Sequence, residues 1–314
     1  MSRFHEADLT RLRRMPVADR ATKVAVEDFA RPLDPDAAAA MIAALPDQLA
    51  GRVLREVVDR IVAAHRARRP IVVMLGGHVI KVGVTPCLLQ WVDMGLCTHL
   101  AMNGAAAIHD IEIAMLGRTS EDVDAHLQTG AFGMVDETGA FMNRVAAEAA
   151  RTQEGLGEAW GRALESDTAP HRAVSLLAGA ARAGIPATVH VALGTDTIHY
   201  DPACDGAALG ATSLRDFRIL AGTLANAEGA VVLNLGSAVL MPEVFLKALA
   251  VARNLGASLE GLTTVNLDQI QHYRPRMNVV ERPTRAAGAK GYTLTGHHEI
   301  MVPLLCAAVV AGTR

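Results

Sequence analysis

The stretch that decides the fold is Ile71 to Glu112, IVVMLGGHVIKVGVTPCLLQWVDMGLCTHLAMNGAAAIHDIE. It opens with an apolar run, Ile71 to Leu75, that is too short for a helix and rich in β-branched residues, so it predicts a buried strand. Apolar residues then recur at helical spacing from Thr85 to Gly95, which favours a helix ended by glycine. A second apolar run, Thr98 to Met102, predicts the next strand, so the stretch is typical of a βαβ unit.

Small residues follow both predicted strands of this unit. Gly76 and Gly77 come directly after the first strand, and a predicted turn, Asn103-Gly104-Ala105-Ala106-Ala107, follows the second. Because parallel strands of an open sheet bind ligands at their carboxyl ends, we expect both loops to border a binding site. Tight turns in a packed sheet would need the same glycines, so the sequence leaves both interpretations open.

The same alternation of strands and helices continues to the carboxyl terminus. The further predicted strands are Thr188–Leu193, Ala230–Leu235, Leu262–Leu267 and Tyr292–Thr295. The predicted helices are 37–45, 49–69, 137–151, 171–183, 213–227, 244–255 and 300–311. Asp34 or Asp36 can cap the first of them. A short helix is also predicted before Gly130, capped by Thr119 or Ser120, and a further helix is predicted to end at Glu165. Two segments are predicted loops, 194–213, which is functional or disordered, and 268–290. We therefore predict a doubly wound, mostly parallel α/β domain over residues 49–314, preceded by a helical arm over 1–48.

Composition excludes several classes of protein. Of the 314 residues 51% are hydrophobic, which is enough to bury a large core. A formal net charge of −3, without a cluster of lysine and arginine among aromatic residues, argues against a nucleic-acid partner. No apolar run approaches the roughly 20 residues that span a bilayer, and the amino terminus lacks the apolar core of a secretion signal. Four scattered cysteines without a CxxC motif predict a reduced, cytoplasmic protein.

Three short motifs are candidates for catalysis. In the run His109, Asp110, Glu112 a carboxylate can fix the histidine tautomer and raise its basicity, whereas the alternative is that Asp110 favours a helix amino terminus. Lys290 can form an imine if burial lowers its pKa, and its alternative is a solvated lysine. Lys81, in the first glycine loop, is a second lysine that can meet a phosphate or a carboxylate.

Further polar residues lie in the later loops. Asp268 follows a predicted strand, so it can bind a ribose hydroxyl or begin a turn. His297, His298 and Glu299 precede a helix, which they can cap, or they can lie near a cofactor. Four arginines can clamp an anionic substrate or form ion pairs between subunits: Arg274, Arg276, Arg282 and Arg285. No metal site is predicted, because the spacing of the metal-capable residues matches no compact ligand pattern; these are His190, His199, Asp201, Cys204 and Asp205.

The order of these parts resembles the deoxyhypusine synthase family over about residues 72–311. The matching pieces are the loops Gly76 to Gly83 and Met102 to Asp110, the strand ending Ala192-Leu193, the turns Asp205 to Gly210 and Leu235 to Val239, and the last helix around Met301 to Leu305. The run from His109 to Glu112 is also similar to a stretch of the NAD-dependent ornithine cyclodeaminases.

The resemblance implies a Rossmann-type fold, NAD as cofactor, and a homotetramer with sites at subunit interfaces and the arm crossing between subunits. Together with the glycine loops, it implies cofactor contacts for Gly76, Gly77, His78, Asn103, Gly104, Ala105, Asp205, Gly206, Gly236, Ser237 and Asp268. That family passes an aminobutyl group through an imine on a lysine, whose counterpart here is Lys290, after Arg282 and Pro283. Two acids of the family are replaced by Ile108 and His109, so deoxyhypusine synthesis itself is not expected.

These observations predict an NAD-dependent enzyme that oxidises an amine or amino acid to an imine. The catalytic candidates are His109, Asp110, Lys290 and Lys81, and the predicted partner is a small molecule rather than nucleic acid or a membrane. One alternative is a non-catalytic NAD- or nucleotide-binding protein that kept the fold. A second alternative is an aminobutyl transferase that uses Lys290.

Overall fold

A computed structural model describes residues 3–166 and 169–314 of the chain. The strands are β1 (Thr22–Ala25), β2 (Ile71–Leu75), β3 (His99–Asn103), β4 (Arg118–Glu121), β5 (Ala187–His190), β6 (Val231–Leu235), β7 (Thr263–Asp268) and β8 (Lys290–Thr295). The helices are α1 (Pro35–Ala44), α2 (Leu49–Arg66), α3 (Gly77–Lys81), α4 (Thr85–Asp93), α5 (Gly104–Leu116), α6 (Val123–Thr129), α7 (Asp136–Thr152), α8 (Leu156–Ser166), α9 (Leu176–Ala183), α10 (Gly206–Leu224), α11 (Leu240–Asn254), α12 (Tyr273–Pro275) and α13 (His298–Thr313). No helix in these two ranges is long and apolar enough to cross a membrane.

Six of the strands form one parallel sheet in the order β5-β3-β2-β6-β7-β8. The chain builds outward from β2 through β3 to β5, then returns to place β6, β7 and β8 on the other side of β2. The strand order therefore reverses between β2 and β6. This is the order of the dinucleotide-binding doubly wound fold, in which ligands bind outside the carboxyl ends of the strands at the reversal. The predicted βαβ unit and sheet are confirmed.

Alternate residues of β2 pack against helices on opposite faces of the sheet. Ile71, Val73 and Leu75 belong to a core that includes residues of α2, α4, α5 and α13. Val72 and Met74 belong to a second core with residues of α10 and α11. Because both faces are covered, every residue of β2 is buried, and the strand is a continuous apolar run.

The amino-terminal arm packs on its own chain. Its strand β1 pairs antiparallel with β4, so that Val24 lies opposite Thr119. Helix α1, capped by Asp34, buries Ala38 and Ile42 in the first core. The division of the chain at residue 48 and the homotetramer stay predictions.

One predicted turn and one predicted helix cap are wrong, because polar side chains begin these helices at positions that the sequence pattern does not indicate. Asn103 accepts a hydrogen bond from the Ala106 N–H at 2.9 Å, so the small residues after it form the first turn of α5. Thr119 and Ser120 lie in β4 and cap no helix, since Asp122 caps α6.

Two predicted loops are also shorter than expected. Helix α10 begins at Gly206, inside the predicted loop 194–213, because the Asp205 carboxylate accepts the N–H groups of the first helical turn. The predicted loop 268–290 contains α12 and a π-helical turn over Arg276–Glu281.

Side chains of α10 close the outer edge of β5. The Asp216 carboxylate accepts hydrogen bonds from the backbone N–H groups of Val189 at 2.7 Å and Gly157 at 2.9 Å. The Ser213 hydroxyl donates to the Val189 carbonyl at 3.0 Å and accepts from the Val191 N–H at 3.1 Å. Since an open strand edge can pair with another chain, these bonds protect this side of the sheet.

Replacing Asp216 with asparagine is expected to change how stability depends on pH. Burial raises the pKa of the Asp216 carboxyl from 3.8 to about 7 in the folded protein. Because the folded state binds this proton more tightly than the unfolded state, protonation of Asp216 stabilises the folded protein. This contribution to the free energy of unfolding is complete below about pH 4 and is lost as the pH rises through about 7. Urea unfolding across this range should show the wild-type free energy of unfolding falling relative to Asp216→Asn. A constant difference would mean that Asp216 does not titrate there.

Candidate functional site

The reversal point between β2 and β6 is built by two glycines. A Cβ atom on Gly76 would lie 2.0 Å from the carbonyl oxygen of Gly236, so the two turns touch through their backbones. Gly236 has a φ of +64°, a left-handed conformation that favours glycine. The crevice at the reversal is therefore walled by main chain, which suits the close approach of a pyrophosphate.

Gly77 brings the first of these turns against helix α5. A Cβ atom on Gly77 would lie 3.3 Å from Ala105 Cβ and 3.2 Å from His109 Cδ2. Lys81 ends helix α3, and its charge contributes to lowering the pKa of both His109 and His78. The structure therefore brings four predicted site residues close together on this side of the crevice: Gly77, Lys81, Ala105 and His109.

His109 ends a hydrogen-bonded chain that runs to the amino-terminal arm. His109 Nδ1 lies 2.7 Å from Thr119 Oγ1, which lies 2.5 Å from Glu112 Oε2. The other oxygen of Glu112 accepts from Arg20 Nη1 at 2.9 Å and from the Thr138 hydroxyl at 3.1 Å. The imidazole is half-buried, whereas the four residues that continue the chain of hydrogen bonds are buried: Thr119, Glu112, Arg20 and Thr138. Burial lowers the pKa of His109 to about 4, so the ring is neutral at pH 7.

Asp110 points away from this chain and caps a different helix. Its carboxylate accepts from the Ser175 hydroxyl at 2.6 Å and from the N–H groups of Leu176 at 2.7 Å and Leu177 at 3.0 Å, at the start of α9. Burial raises the pKa of Asp110 to about 6. Adjacent helical residues do not face each other, whereas residues three apart do. The carboxylate that reaches His109, through Thr119, is therefore Glu112 and not Asp110.

Lys290 lies at the opposite edge of the sheet. It is the first residue of β8 and pairs with Thr263 at the start of β7, so it is at the amino ends of the strands. Its half-exposed ammonium lies 2.5 Å from Glu56, and this hydrogen bond raises the pKa of Lys290. An imine-forming amine must be neutral and near the substrate, so this location argues against the catalytic role predicted for Lys290.

Two histidines, His78 and His298, and the aspartate Asp268 lie around the Gly236 turn, on the side toward β7. Asp268 ends β7 and accepts the next backbone N–H at 2.7 Å. His298 lies 3.0 Å from the position of a Cβ on Gly236, and its ring centroid is 5.4 Å from that of His78. The Nε2 atom of His298 is 3.2 Å from the Leu267 carbonyl and must donate there. The buried Nδ1 atom of the same ring has no hydrogen-bond partner within residues 3–166 and 169–314.

Gly104 is covered by a carboxylate that the sequence analysis missed. A Cβ atom on Gly104 would lie 2.0 Å from Asp196 Oδ2, a buried atom without a hydrogen-bond partner in the described part of the chain. Burial raises the pKa of Asp196 to about 6. His199 Nε2 lies 3.8 Å from the same oxygen. The sequence signal for this pair is the unusual length of the polar loop that contains it.

The remaining predicted contacts cap helices or lie on the surface. Asp205 accepts the N–H groups of Ala207 at 2.8 Å and Ala208 at 3.1 Å, and Gly206 begins α10 beside it. Ser237 Oγ accepts the Met241 N–H at 3.2 Å, at the start of α11. Three of the four candidate arginines pair with side chains of their own segment or of α11: Arg274 with Glu243, Arg276 with Glu281, and Arg282 with Asn278. Among the described residues, no group of three or more His, Cys, Asp or Glu is arranged to hold a metal ion.

Two cavities lie outside the crevice. One of about 10 Å³, room for one water, is lined by Arg20, Glu112 and Thr138 among others. Arg20 Nε and Nη2 are buried and have no partner among the residues that the structure describes. Another cavity, of about 720 Å³, lies beside Ile185 and Pro186 at the amino edge of the sheet. None of the predicted site residues lines this larger cavity.

Comparisons with known proteins identify the fold. The sequence matches no protein-family model and no curated protein. A conserved LOR/SDH protein from Methanococcus maripaludis S2 is similar in structure, with a TM-score of 0.53 and 17% identity over 84% of this chain and 69% of that chain. The ternary complex of AgrE with ornithine and NAD+ has a TM-score of 0.50 and 16% identity over 83% of this chain and 32% of that chain. A protein described as a deoxyhypusine synthase from Entamoeba histolytica has a TM-score of 0.47 and 11% identity, over 84% of this chain and 89% of that chain.

These similarities concern the fold. The predicted doubly wound, mostly parallel α/β architecture is confirmed, and at 17% identity the likeness to the LOR/SDH protein extends to the fold alone. The chain spans about a third of the length of the AgrE chain.

Proposed function

We propose that this chain is an NAD-dependent enzyme that acts on an amino acid or a related amine by oxidation at the carbon bearing nitrogen. The observation that carries the proposal is the glycine-walled crevice at the strand reversal, with the neutral imidazole of His109 against the Gly77 turn. The AgrE complex, which shares the fold, contains ornithine and NAD+, and this supports both the cofactor and the substrate class.

The residues around the crevice fit a dinucleotide. The main chain that follows β2, at Gly76 and Gly77, would lie against the pyrophosphate, because this fold binds dinucleotides at the carboxyl ends of the strands where the order reverses. The Asp268 carboxylate, at the end of β7, would accept a ribose hydroxyl, and the bare Nδ1 of His298 would accept a further donor of the cofactor. When bound, NAD supplies the acceptor for the hydride that leaves the amine carbon.

His109 would move the proton that this oxidation requires. An amine loses hydride from its carbon only when the nitrogen has a lone pair, so an ammonium group must first give up a proton. Burial lowers the pKa of His109 to about 4, so the ring is neutral at pH 7 and has a lone pair for that proton, but it binds the proton only weakly and must pass it on. His109 Nε2 makes no hydrogen bond within the described residues, so it is available to the substrate nitrogen.

Two alternatives make different predictions. A non-catalytic protein of this fold would bind NAD without producing NADH. An aminobutyl transferase would need Lys290 at the crevice, whereas Lys290 lies at the other edge of the sheet. Absorbance of NADH, measured with NAD and a panel of amino acids and polyamines that includes ornithine, separates these cases. NAD binding without NADH formation for any member of the panel would favour the non-catalytic alternative.

Replacing Gly77 with valine is expected to weaken NAD binding at least about tenfold, equivalent to about 1.4 kcal/mol. The new side chain would start 3.2 Å from His109 and 3.3 Å from Ala105, and would extend into the space proposed for the cofactor. Calorimetric titration of NAD measures the effect, and circular dichroism verifies the fold. The matched control is Gly222→Ala in α10, where a Cβ meets no atom within 4 Å and affinity should not change. Equal affinity of Gly77→Val and wild type would place the cofactor elsewhere.

A further inference from the structure

We propose that Thr119 is a positioning residue, which holds His109 in the tautomer whose Nδ1 carries the proton and whose Nε2 is the acceptor. The kinetic part of this inference rests on the function proposed above, whereas the tautomer is a property of the protein alone. Thr119 lies on β4, outside every loop that borders the crevice, and it acts through the imidazole without contact to the substrate.

The direction of each hydrogen bond follows from the donors available. The Glu112 carboxylate only accepts, and it is paired with the Arg20 guanidinium at 2.9 Å. The single hydroxyl proton of Thr119 is therefore donated to Glu112 Oε2, 2.5 Å away. Toward His109 the same oxygen can only accept, so the proton of the 2.7 Å contact lies on His109 Nδ1. The lone pair of the neutral ring is then on Nε2, where the proposed reaction needs it.

The hydroxyl also separates the imidazole from the carboxylate. Charged groups of three elements act on His109: Glu112 from its own helix, Lys81 from α3 and Arg20 from the arm. Burial lowers the pKa of His109 most strongly. Among the charged groups, Glu112 raises this pKa, whereas Lys81 and Arg20 lower it. Because Thr119 stands between Glu112 and the ring, the carboxylate orients the imidazole without the direct contact that would favour the imidazolium. The ring thus stays neutral and ready to accept a proton.

The small sheet of β1 and β4 determines where the Thr119 hydroxyl lies. Thr119 is fully buried and sits opposite Val24 of the arm in the antiparallel pair. The next residue, Ser120, has a φ of +64°, an unusual left-handed conformation for a residue with a side chain. Strand β1 of the arm and the backbone at Ser120 therefore fix the position of the Thr119 side chain. Its partner, His109, lies ten residues earlier, in α5.

The decisive measurement is the tautomer of His109, read from the 15N chemical shifts of its ring in selectively labelled protein. We expect the Nδ1–H tautomer in the wild type and in Thr119→Ser, which keeps the hydroxyl. Thr119→Val removes the hydroxyl at constant volume and should shift the ring toward the Nε2–H tautomer. An Nε2–H ring in the wild type, or an Nδ1–H ring unchanged in Thr119→Val, would overturn the proposal. Should Thr119→Val not fold, the wild-type tautomer alone decides.

Kinetics give a second readout. With a substrate identified by NADH formation, Thr119→Val should lower kcat about tenfold or more while KM and the NAD Kd stay close to wild type, and Thr119→Ser should restore most of the rate. An equal loss of rate in both variants would mean that the methyl packing of Thr119 matters and not its hydroxyl, which contradicts the inference. If no substrate is oxidised at all, the proposed function fails, but the tautomer measurement still tests the role of Thr119.

Discussion

Replacing Arg20 with alanine is expected to lower the free energy of unfolding by about 3–5 kcal/mol, which is typical when one partner of a buried ion pair is removed. Arg20 is 6% exposed and Glu112 is 3% exposed, and their closest atoms are 2.9 Å apart. Without the guanidinium, Glu112 would keep only hydroxyl partners, Thr119 and Thr138, and its buried negative charge would have no opposite charge. Urea denaturation followed by circular dichroism measures the loss.

Two comparisons show whether burial of charge is the cause. Arg52→Ala removes an exposed pair with Asp47 and should cost no more than about 1 kcal/mol. The double variant Arg20→Met, Glu112→Gln removes both charges with similar volume and should recover most of the stability lost in Arg20→Ala. A cost for Arg20→Ala as small as that of Arg52→Ala would show that the arm contributes little to the stability of this region.

Replacing His109 with glutamine is expected to lower kcat by about 10²- to 10⁴-fold if His109 accepts the substrate proton as proposed. Glutamine keeps a polar group of similar size but cannot take a proton at neutral pH. The NAD affinity should change little, because the proposed cofactor contacts come from the glycine turns, Asp268 and His298. His65→Gln is the matched control, since His65 lies in α2, before the amino end of β2, and should leave kcat unchanged. A wild-type kcat in His109→Gln would remove His109 from the mechanism.

The pH dependence of kcat/KM tests the same assignment. Burial lowers the pKa of His109 from 6.5 to about 4, so the ring stays neutral and able to accept a proton until the pH falls to about 4. Protonation of His109 should therefore not reduce kcat/KM near pH 6.5, and the acid limb of the wild-type profile should lie near pH 4. An acid limb near 6.5 that disappears in His109→Gln would mean that the ring is far more exposed to water in the working enzyme.

The sheet and the glycine turns could be predicted because their causes lie in adjacent residues. All five residues of β2 are buried, so the strand is visible as an apolar run. Gly76 and Gly77 stand directly after it, at the end of the sheet where the chain must turn. The position of the candidate site follows from these two facts and from the strand order.

The partners of the site residues could not be predicted, because they are distant in sequence. Asp110 caps a helix 65 residues later, and Arg20 meets a carboxylate 92 residues later. No periodicity connects such pairs. The spacing from Arg282 and Pro283 predicts a catalytic Lys290, but spacing along the chain does not reveal that Lys290 begins β8, paired with Thr263 at the amino ends of the strands.

The closed edge at β5 limits how copies of this chain can assemble. Asp216 and Ser213 occupy the hydrogen-bonding groups of Val189 that a neighbouring strand would need. A continuous intersubunit β-sheet therefore cannot grow through this edge, and fibre-like stacking is blocked on the same side. A symmetric oligomer of this protein would have to join through other surfaces, such as helices, loops, the β8 side or the small β1–β4 sheet, and these are where interface substitutions should be made.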